Sequence, residues 1–375
     1  MGWCGDSGEW RGVEGMKRIC GGSLVLGFVL GVFLAVGGES GAGGRAEVVV
    51  VEHPGATVRF APQMGVVSNM VMRGVMAVTG EADGVLAWRR LVATNETVGI
   101  KVFSRPGAIS GTRPPVVEAV VQGLIGAGLP ATNIVIWDRH YADLRMAGYV
   151  EMGRKYGVRV AGSNDAGYEQ EVFYETPLIG KLVWGDVEFG QTGAGVGRKS
   201  FASQLVASGF QKIISVVPLL NNNETAVSGH CWGLAMSSTD NTLRFENTPG
   251  RMAEAVPELL ALAGLDLRDR LVLAITDAML CQYQGEERQL LHYSTVLDQL
   301  WFGMDPVAMD VMAVEVIERE RRQRGLAGKA ADRILYENCS LLELGVSATN
   351  RIDMRMLQLA PRVGREGVLP AADID

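Results

Sequence analysis

The sequence predicts an α/β fold, with a mainly parallel (mixed) sheet that is covered by helices on both faces. Short apolar runs of strand length, such as "NIVIWD" and "KIISVVPLL", alternate along the chain with stretches of helical periodicity. These runs are apolar at nearly every position, which is typical of strands buried on both faces of a parallel sheet. Alternating strands and helices favour this architecture over separate helical and sheet domains.

The elements follow one another in a regular order. Strands are predicted at "AEVVVVEH" and "ETVGIKVF", and the second leads through "SRPGAISGTRPP" into a helix at "VVEAVVQGLIGAG". A strand at "NIVIWD" precedes a helix that ends at Gly157, where glycine favours a left-handed cap. Short strands at "VRVAG" and "GKLVWGDVEF" and a helix at "SFASQLVASGF" come next. The second half contains the strands "KIISVVPLL" and "LVLAITDAML" and the helices "RMAEAVPELLALAG" and "DPVAMDVMAVEVIERERRQRG".

Composition excludes two classes of protein. The chain of 375 residues is 47% hydrophobic and 21% charged, which is too apolar for a disordered protein. Its net charge is -7 and it carries no basic stripe, so a nucleic-acid partner is not expected. No linker-like or repetitive stretch follows residue 47. We therefore predict a single α/β domain over 47–375, with a division near residue 165 as the alternative.

The N-terminal region predicts export. In "MKRICGGSLVLGFVLGVFLAVGG" a lysine–arginine pair precedes an apolar run over 24–36, which is short for a membrane span and typical of a signal peptide. We interpret residues 1–46 as an upstream stretch plus a signal peptide, with Met16 as the true start and cleavage near Ala46. An uncleaved membrane anchor is the alternative. The mature protein is expected to be periplasmic or extracellular, without a stable membrane span.

Cysteine chemistry is sparse in the predicted mature chain. Its cysteines are Cys231, Cys281 and Cys339, and none of them stands in a C-x-x-C pair. The spacing therefore contains no iron–sulfur motif and no zinc knuckle, and it allows at most one disulfide. His230 and Cys231 are neighbours, and adjacent side chains usually point apart, so a catalytic cysteine–histidine pair is disfavoured.

Three residues around the second predicted strand are candidates for binding an anion. Lys101 stands inside "VGIKVF", where an ammonium group needs a partner or a place at the carboxyl end of the strand. Thr112 and Arg113 precede Pro114 at a helix start, where free backbone N–H groups favour anions. Open α/β sheets bind ligands at the edge where the carboxyl ends of their parallel strands meet. The alternative is structural: Thr112 caps the helix and Lys101 pairs with a buried carboxylate.

Four aspartates are candidates for metal binding or catalysis. Strand-terminal acids are typical metal ligands and general bases in α/β enzymes. We assign Asp138 and Asp305 to a divalent metal, and Asp277 to catalysis. Asp305, which is followed by proline, also fits an ordinary helix N-cap. Asp310 lies on the inward face of the next helix and needs a cation or a metal as partner, so it is a catalytic candidate, with structural pairing as the alternative.

The stretch "SGHCWGLAMSSTDNTLRF" supplies the remaining candidates. His230 is a candidate proton carrier, and Asn241 and Arg244 are candidate ligand-binding residues. The motifs "VGIKV", "TRPPVVEAVV", "NIVIWD", "KIISVVPLL", "STDNTLRF", "ITDAM" and "DPVAMD" follow one another over about residues 97–350. In type and order they resemble the family known as domain of unknown function 362. The resemblance implies an α/β fold and frequent export, but no substrate.

The chain departs from that family at one place. Ser228 and Gly229 match the family's Thr-Gly segment, whereas Trp232 and Gly233 stand where lysine and asparagine are usual. Some members carry ferredoxin-like cysteine motifs, which this chain lacks. The resemblance therefore implies either a different chemistry or binding without turnover.

These observations lead to one expectation and two alternatives. We expect an exported α/β protein whose polar cleft at the strand ends binds a small anionic molecule or a metal, with enzymatic activity as an open question. The cations named above would hold the anion, and the aspartates would supply a metal ligand or a base. The alternatives are a non-catalytic periplasmic or surface binding module, and a structural or interaction protein.

Overall fold

Strands form one large sheet and two small ones in the computed structural model, which describes residues 44–175, 195, 197–246, 249–326 and 331–359. They are β1 (Ala46–Glu52), β2 (Thr57–Val58), β3 (Ala61–Pro62), β4 (Val98–Val102), β5 (Ile134–Asp138), β6 (Arg159–Gly162), β7 (Tyr168–Glu175), β8 (Lys199–Ser203), β9 (Lys212–Asn222), β10 (Ala226–Val227), β11 (Leu271–Gln282), β12 (Ser294–Gly303) and β13 (Ile352–Gln358).

Helices connect most of these strands. They are α1 (Met64–Thr79), α2 (Gly84–Leu91), α3 (Gly107–Ser110), α4 (Pro114–Gly126), α5 (Tyr141–Met146), α6 (Tyr149–Tyr156), α7 (Ser163–Ala166), α8 (Gln204–Ala207), α9 (His230–Ser238), α10 (Pro249–Leu260), α11 (Leu267–Arg270), α12 (Pro306–Gln323) and α13 (Ile334–Leu341). No described helix combines the length and the apolarity that crossing a membrane requires.

The large sheet is mainly parallel, and its order is β13-β1-β12-β11-β9-β4-β5-β6, with β10 paired to β9. Parallel pairs join β4, β5, β6, β9 and β11, whereas β12 runs antiparallel to both β11 and β1. The five parallel strands therefore end at one edge of the sheet, called here the carboxyl edge. The end of β12 lies at the opposite edge.

Each face of the sheet is covered by helices and carries its own hydrophobic core. Along β4, Val98, Ile100 and Val102 belong to the core that α1, α2 and α4 cover. Lys101 lies between them in sequence and points to the other face, because successive side chains of a strand alternate. That second core contains Trp137 of β5 and the helices α9, α10 and α12. The predicted α/β fold, with helices on both faces of a mixed sheet, is confirmed.

Local predictions succeed where burial is continuous. The predicted strands of β4, β5, β9 and β11 and the helices α4 and α12 are present, and the helix before Gly157 ends there with a left-handed φ of 70°. A second left-handed glycine, Gly148, divides that helix into α5 and α6. The helix predicted at "SFASQLVASGF" is wrong, since its first half is β8, paired with β7. The predicted strand "GKLVWGDVEF" and signal peptide lie outside the described residues, except for the last residues before Ala46.

Candidate functional site

A cleft opens at the carboxyl edge of the sheet. It has a volume of about 630 Å³, within the range of pockets that hold small organic molecules. Loops that follow β4, β5, β9 and β11 contribute to its lining, and α9 contributes one wall. The position agrees with the general preference of open α/β sheets for ligands at strand carboxyl ends.

Aromatic side chains form the apolar part of the cleft. Phe103, just after β4, meets Trp232 of α9 edge to face, with ring centroids 5.3 Å apart. Met236 stands one helical turn after Trp232 on the same face of α9, and it also lines the cleft. The indole Nε1 of Trp232 is buried and has no hydrogen-bond partner among the described residues. These three side chains give the cleft an apolar wall.

Beneath the cleft lies a buried ion pair. The Nζ atom of Lys101 is 3.0 Å from Oδ1 of Asp138, and the lysine is fully buried. Asp138 also accepts hydrogen bonds from the backbone and hydroxyl of Ser104, at 2.8 and 2.7 Å, and from the Ser237 hydroxyl, at 2.9 Å. Burial lowers the pKa of Lys101 despite its partner. The structural alternative for Lys101, a buried carboxylate partner, is thus the arrangement observed.

The predicted anion site at the start of α4 is filled by the chain itself. Arg113 lies 2.8 Å from Oδ1 of Asp277, and its backbone N–H donates to Oδ2 of the same carboxylate at 3.3 Å. The hydroxyl of Thr112 donates to the Val216 carbonyl at 2.7 Å and accepts from the backbone N–H of Phe103 at 2.9 Å. Thr112, Arg113 and Asp277 are all buried, so these three residues connect α4 to the sheet.

Asp310 also fills a helix N-terminus. Its carboxylate accepts the backbone N–H groups of His230 at 2.7 Å and Cys231 at 2.9 Å, the first two residues of α9. A side chain at Gly229 would collide with this carboxylate, because a Cβ there would lie 2.2 Å from Oδ1. Burial raises the pKa of Asp310 to about 7. The predicted inward orientation is correct, but the partner is the backbone of α9 rather than a cation or a metal.

His230 and Cys231 are buried structural residues. The His230 ring bridges two strands, with Nδ1 2.8 Å from the Ser215 hydroxyl and Nε2 3.1 Å from that of Thr276. Burial, and then the charge of Lys101, lower the pKa of His230 to about 3. The ring is therefore neutral near pH 7, which argues against its predicted role as a proton carrier. A hydrogen bond with Cys339 and burial raise the pKa of the Cys231 thiol well above its usual value.

Asn241 and Arg244 hold the segment around β8 in place. The side chain of Asn241 accepts the backbone N–H of Gly195 at 2.5 Å and donates to the Lys199 carbonyl at 3.0 Å. Arg244 donates to the Ser200 hydroxyl at 3.1 Å and to the Arg198 carbonyl at 2.5 Å. Neither residue is part of the cleft lining.

The predicted metal pair is separated by the topology. Asp305 follows β12, whose end lies at the opposite edge from Asp138. It caps α12 by accepting the N–H of Ala308 at 2.9 Å, and it accepts that of Val346 at 2.8 Å. In the described part of the chain, no three histidine, cysteine or acidic side chains are grouped to hold a metal. The two aspartates predicted as metal ligands therefore cannot bind the same metal ion.

The cleft lies at the strand ends at which the sequence analysis places the site, but few of the predicted residues line it. Of the site residues predicted from the sequence, Asp138 alone is among the described residues that line the cleft. Phe103 and the charged residues of the cleft were not among the residues predicted from the sequence, and Trp232 entered only as a departure from the family pattern. The sequence does indicate where such residues lie, since the loops that follow apolar strands are the usual source of ligand contacts in this architecture.

Comparisons with known proteins give little further information. No family model matches the chain, and no curated protein matches it. Among solved structures, it is similar to a protein from Thermotoga maritima that was solved by a structural genomics consortium, with 11% sequence identity and a TM-score of 0.35. The similarity covers 68% of this chain and 59% of that one, so the chain spans less than two thirds of its length. A likeness this small supports no functional inference.

Replacing Lys101 by methionine is expected to destabilise the fold strongly. The substitution leaves Asp138 buried without its cation, which typically costs about 3–5 kcal/mol. The matched control is Lys155→Met, at the Lys155–Glu118 pair, whose lysine side chain is 63% exposed and where about 1 kcal/mol or less is expected. Urea unfolding of both variants measures the difference. Equal losses would contradict a structural role for the buried pair.

Asp310 is expected to make stability depend on pH. Its pKa is about 7 in the folded protein, against about 3.9 in an unfolded chain. Between these two pKa values the folded state holds a proton that the unfolded state releases. The free energy of unfolding therefore falls as pH rises through this window and becomes constant above it. Relative to Asp310→Asn, the wild type should lose on the order of 2–4 kcal/mol between about pH 4 and pH 8. A difference in unfolding free energy that is constant with pH would refute this.

Proposed function

We propose that the protein binds a small organic molecule in the cleft at the carboxyl edge, without converting it. The observation that carries the proposal is the cleft itself, about 630 Å³ in volume, with an aromatic wall beside polar and charged side chains. Mixed linings of this kind are typical of small-molecule sites, in which apolar surface supplies affinity and a few polar groups fix orientation.

The placement of the reactive side chains favours binding over turnover. Asp277 and Asp310, the predicted catalytic acids, are engaged by backbone N–H groups or an arginine inside the protein. His230 is fully buried between two strands, away from the lining. The predicted anionic ligand rested on Lys101, Arg113 and Arg244. The first two cations have carboxylate partners within the chain, and Arg244 donates to the Ser200 hydroxyl and the Arg198 carbonyl.

We also propose that the protein is an exported member of the family known as domain of unknown function 362. The order of the motifs and the apolar run over 24–36 support this proposal, although that run lies outside the described residues. N-terminal sequencing of the protein recovered from outside the cytoplasm is expected to begin near residue 47. A chain that still carries residues 16–46 would contradict signal-peptide cleavage.

Native mass spectrometry and a thermal-shift screen test the binding proposal. The full chain is expected either to retain a small molecule on purification or to be stabilised by members of a panel of small aromatic and aliphatic amines, acids and alcohols. Trp232→Ala removes the larger of the two rings in the aromatic wall and should weaken such binding at least about tenfold. Recovered ligand should be chemically unchanged.

The control is Phe60→Ala, which removes an exposed aromatic side chain that is not part of the cleft lining. This variant should bind as the wild type does. Ligands that bind equally to Trp232→Ala, or the absence of any ligand, would contradict the proposed site. Conversion of a bound compound into a product would refute the claim that binding occurs without turnover.

A further inference from the structure

The lining of the cleft carries more negative than positive charge. Its described residues include three arginines, Arg105, Arg139 and Arg288, against six carboxylates: Asp138, Asp143, Glu224, Glu246, Glu286 and Glu287. Two of the arginines already pair with two of the carboxylates. Arg105 lies 3.0 Å from Glu287, and Arg139 lies 3.0 Å from Glu246. Asp138 is balanced by Lys101 beneath it.

Two further carboxylates of the lining, Asp143 and Glu286, lie outside these pairs. Within the described part of the chain, neither Asp143 nor Glu286 has an ion-pair partner, and Glu286 accepts only the backbone N–H of Asn223, at 2.8 Å. Arg288, the last residue of the 3-10 helix Glu286–Arg288, donates to the Gly285 carbonyl and is exposed. An incoming anion would therefore meet unbalanced carboxylates, whereas an incoming cation would balance them.

The excess of negative charge affects the pKa of Glu287. Burial raises the pKa of its carboxyl, Arg105 opposes the shift, and the neighbouring carboxylates of Glu286, Asp143 and Asp138 raise it further. Carboxylates from β5, from α5 and from the segment that follows β11 thus lie close enough to act on Glu287. Burial of Asp138 strengthens such interactions, because fewer water molecules screen its charge.

The aromatic wall fits the same kind of ligand. Phe103 and Trp232 line the cleft together with Asp143 and Glu286. Aromatic rings attract organic cations through the charge distribution of their faces, and they also bury the apolar surface of such ligands. The cavity and this wall define the site, while the carboxylates decide the charge that the site prefers.

We infer that the ligand of the cleft is an organic cation, with an ammonium or guanidinium group attached to an apolar body. The apolar body packs against Phe103 and Trp232, and the cationic group faces Asp143 and Glu286. This inference rests on the proposed function, since it names the class of molecule that the same cleft binds. It reverses the charge expected from the sequence.

Isothermal titration calorimetry with three matched probes tests the inference on the full chain. The probes are benzyltrimethylammonium, phenylacetate and benzyl alcohol, which share an aromatic ring and differ in charge. Benzyltrimethylammonium should bind at least about tenfold more tightly than phenylacetate, and its affinity should fall as the ionic strength rises. Asp143→Asn and Glu286→Gln should each weaken it about three- to tenfold while preserving side-chain shape.

Glu151→Gln is the control, because this exposed carboxylate of α6 is not part of the lining. It should leave the affinity unchanged. Tighter binding of phenylacetate or of the alcohol, if lost in Trp232→Ala, would overturn the cation inference and leave the proposed binding function in place. Benzyltrimethylammonium affinity that is insensitive to both cleft substitutions would also overturn it. If none of the probes shows Trp232-dependent binding, the inference and the proposed function both fail for this class of compound.

Discussion

The free-energy cost of burying a carboxylate is the constraint on which the arrangement of this molecule depends. A buried carboxylate must be paired or hydrogen-bonded, and Asp138, Asp277 and Asp310 meet this requirement in three different ways. Asp138 pairs with Lys101, and Asp277 pairs with Arg113 at the N-terminus of α4. Asp310 accepts backbone N–H groups at the N-terminus of α9. These three sites, each of which would attract an anion, are therefore occupied by the chain's own carboxyl groups.

Two of these carboxylates also position the wall of the cleft. Asp310 caps the first turn of α9, and Asp138 accepts the hydroxyl of Ser237 near the end of the same helix. Because α9 is fixed at both ends, Trp232 and Met236 are held towards the cleft. The buried acids therefore hold the short helix whose side chains line the cleft.

The sequence predicted the strands and helices whose signals are local, and it missed what depends on strand order. Continuous apolar runs identify β4 and β9, and Asp305 before a proline identifies the start of α12. The partners of buried charges are not local: Asp310 and His230 are 80 residues apart, and only the packing of α12 against α9 brings them together. The misassigned β8 has the same cause, since its strand conformation depends on pairing with β7.

A crystal structure of the full chain grown with benzyltrimethylammonium would show whether the cleft receives an organic cation while the buried charges stay paired within the chain. We expect the aromatic ring of the probe against Trp232, its ammonium group within about 6 Å of Asp143 or Glu286, and the Lys101–Asp138 pair unchanged at 3.0 Å. A probe bound elsewhere, or a Lys101–Asp138 pair opened to contact a ligand, would contradict this expectation.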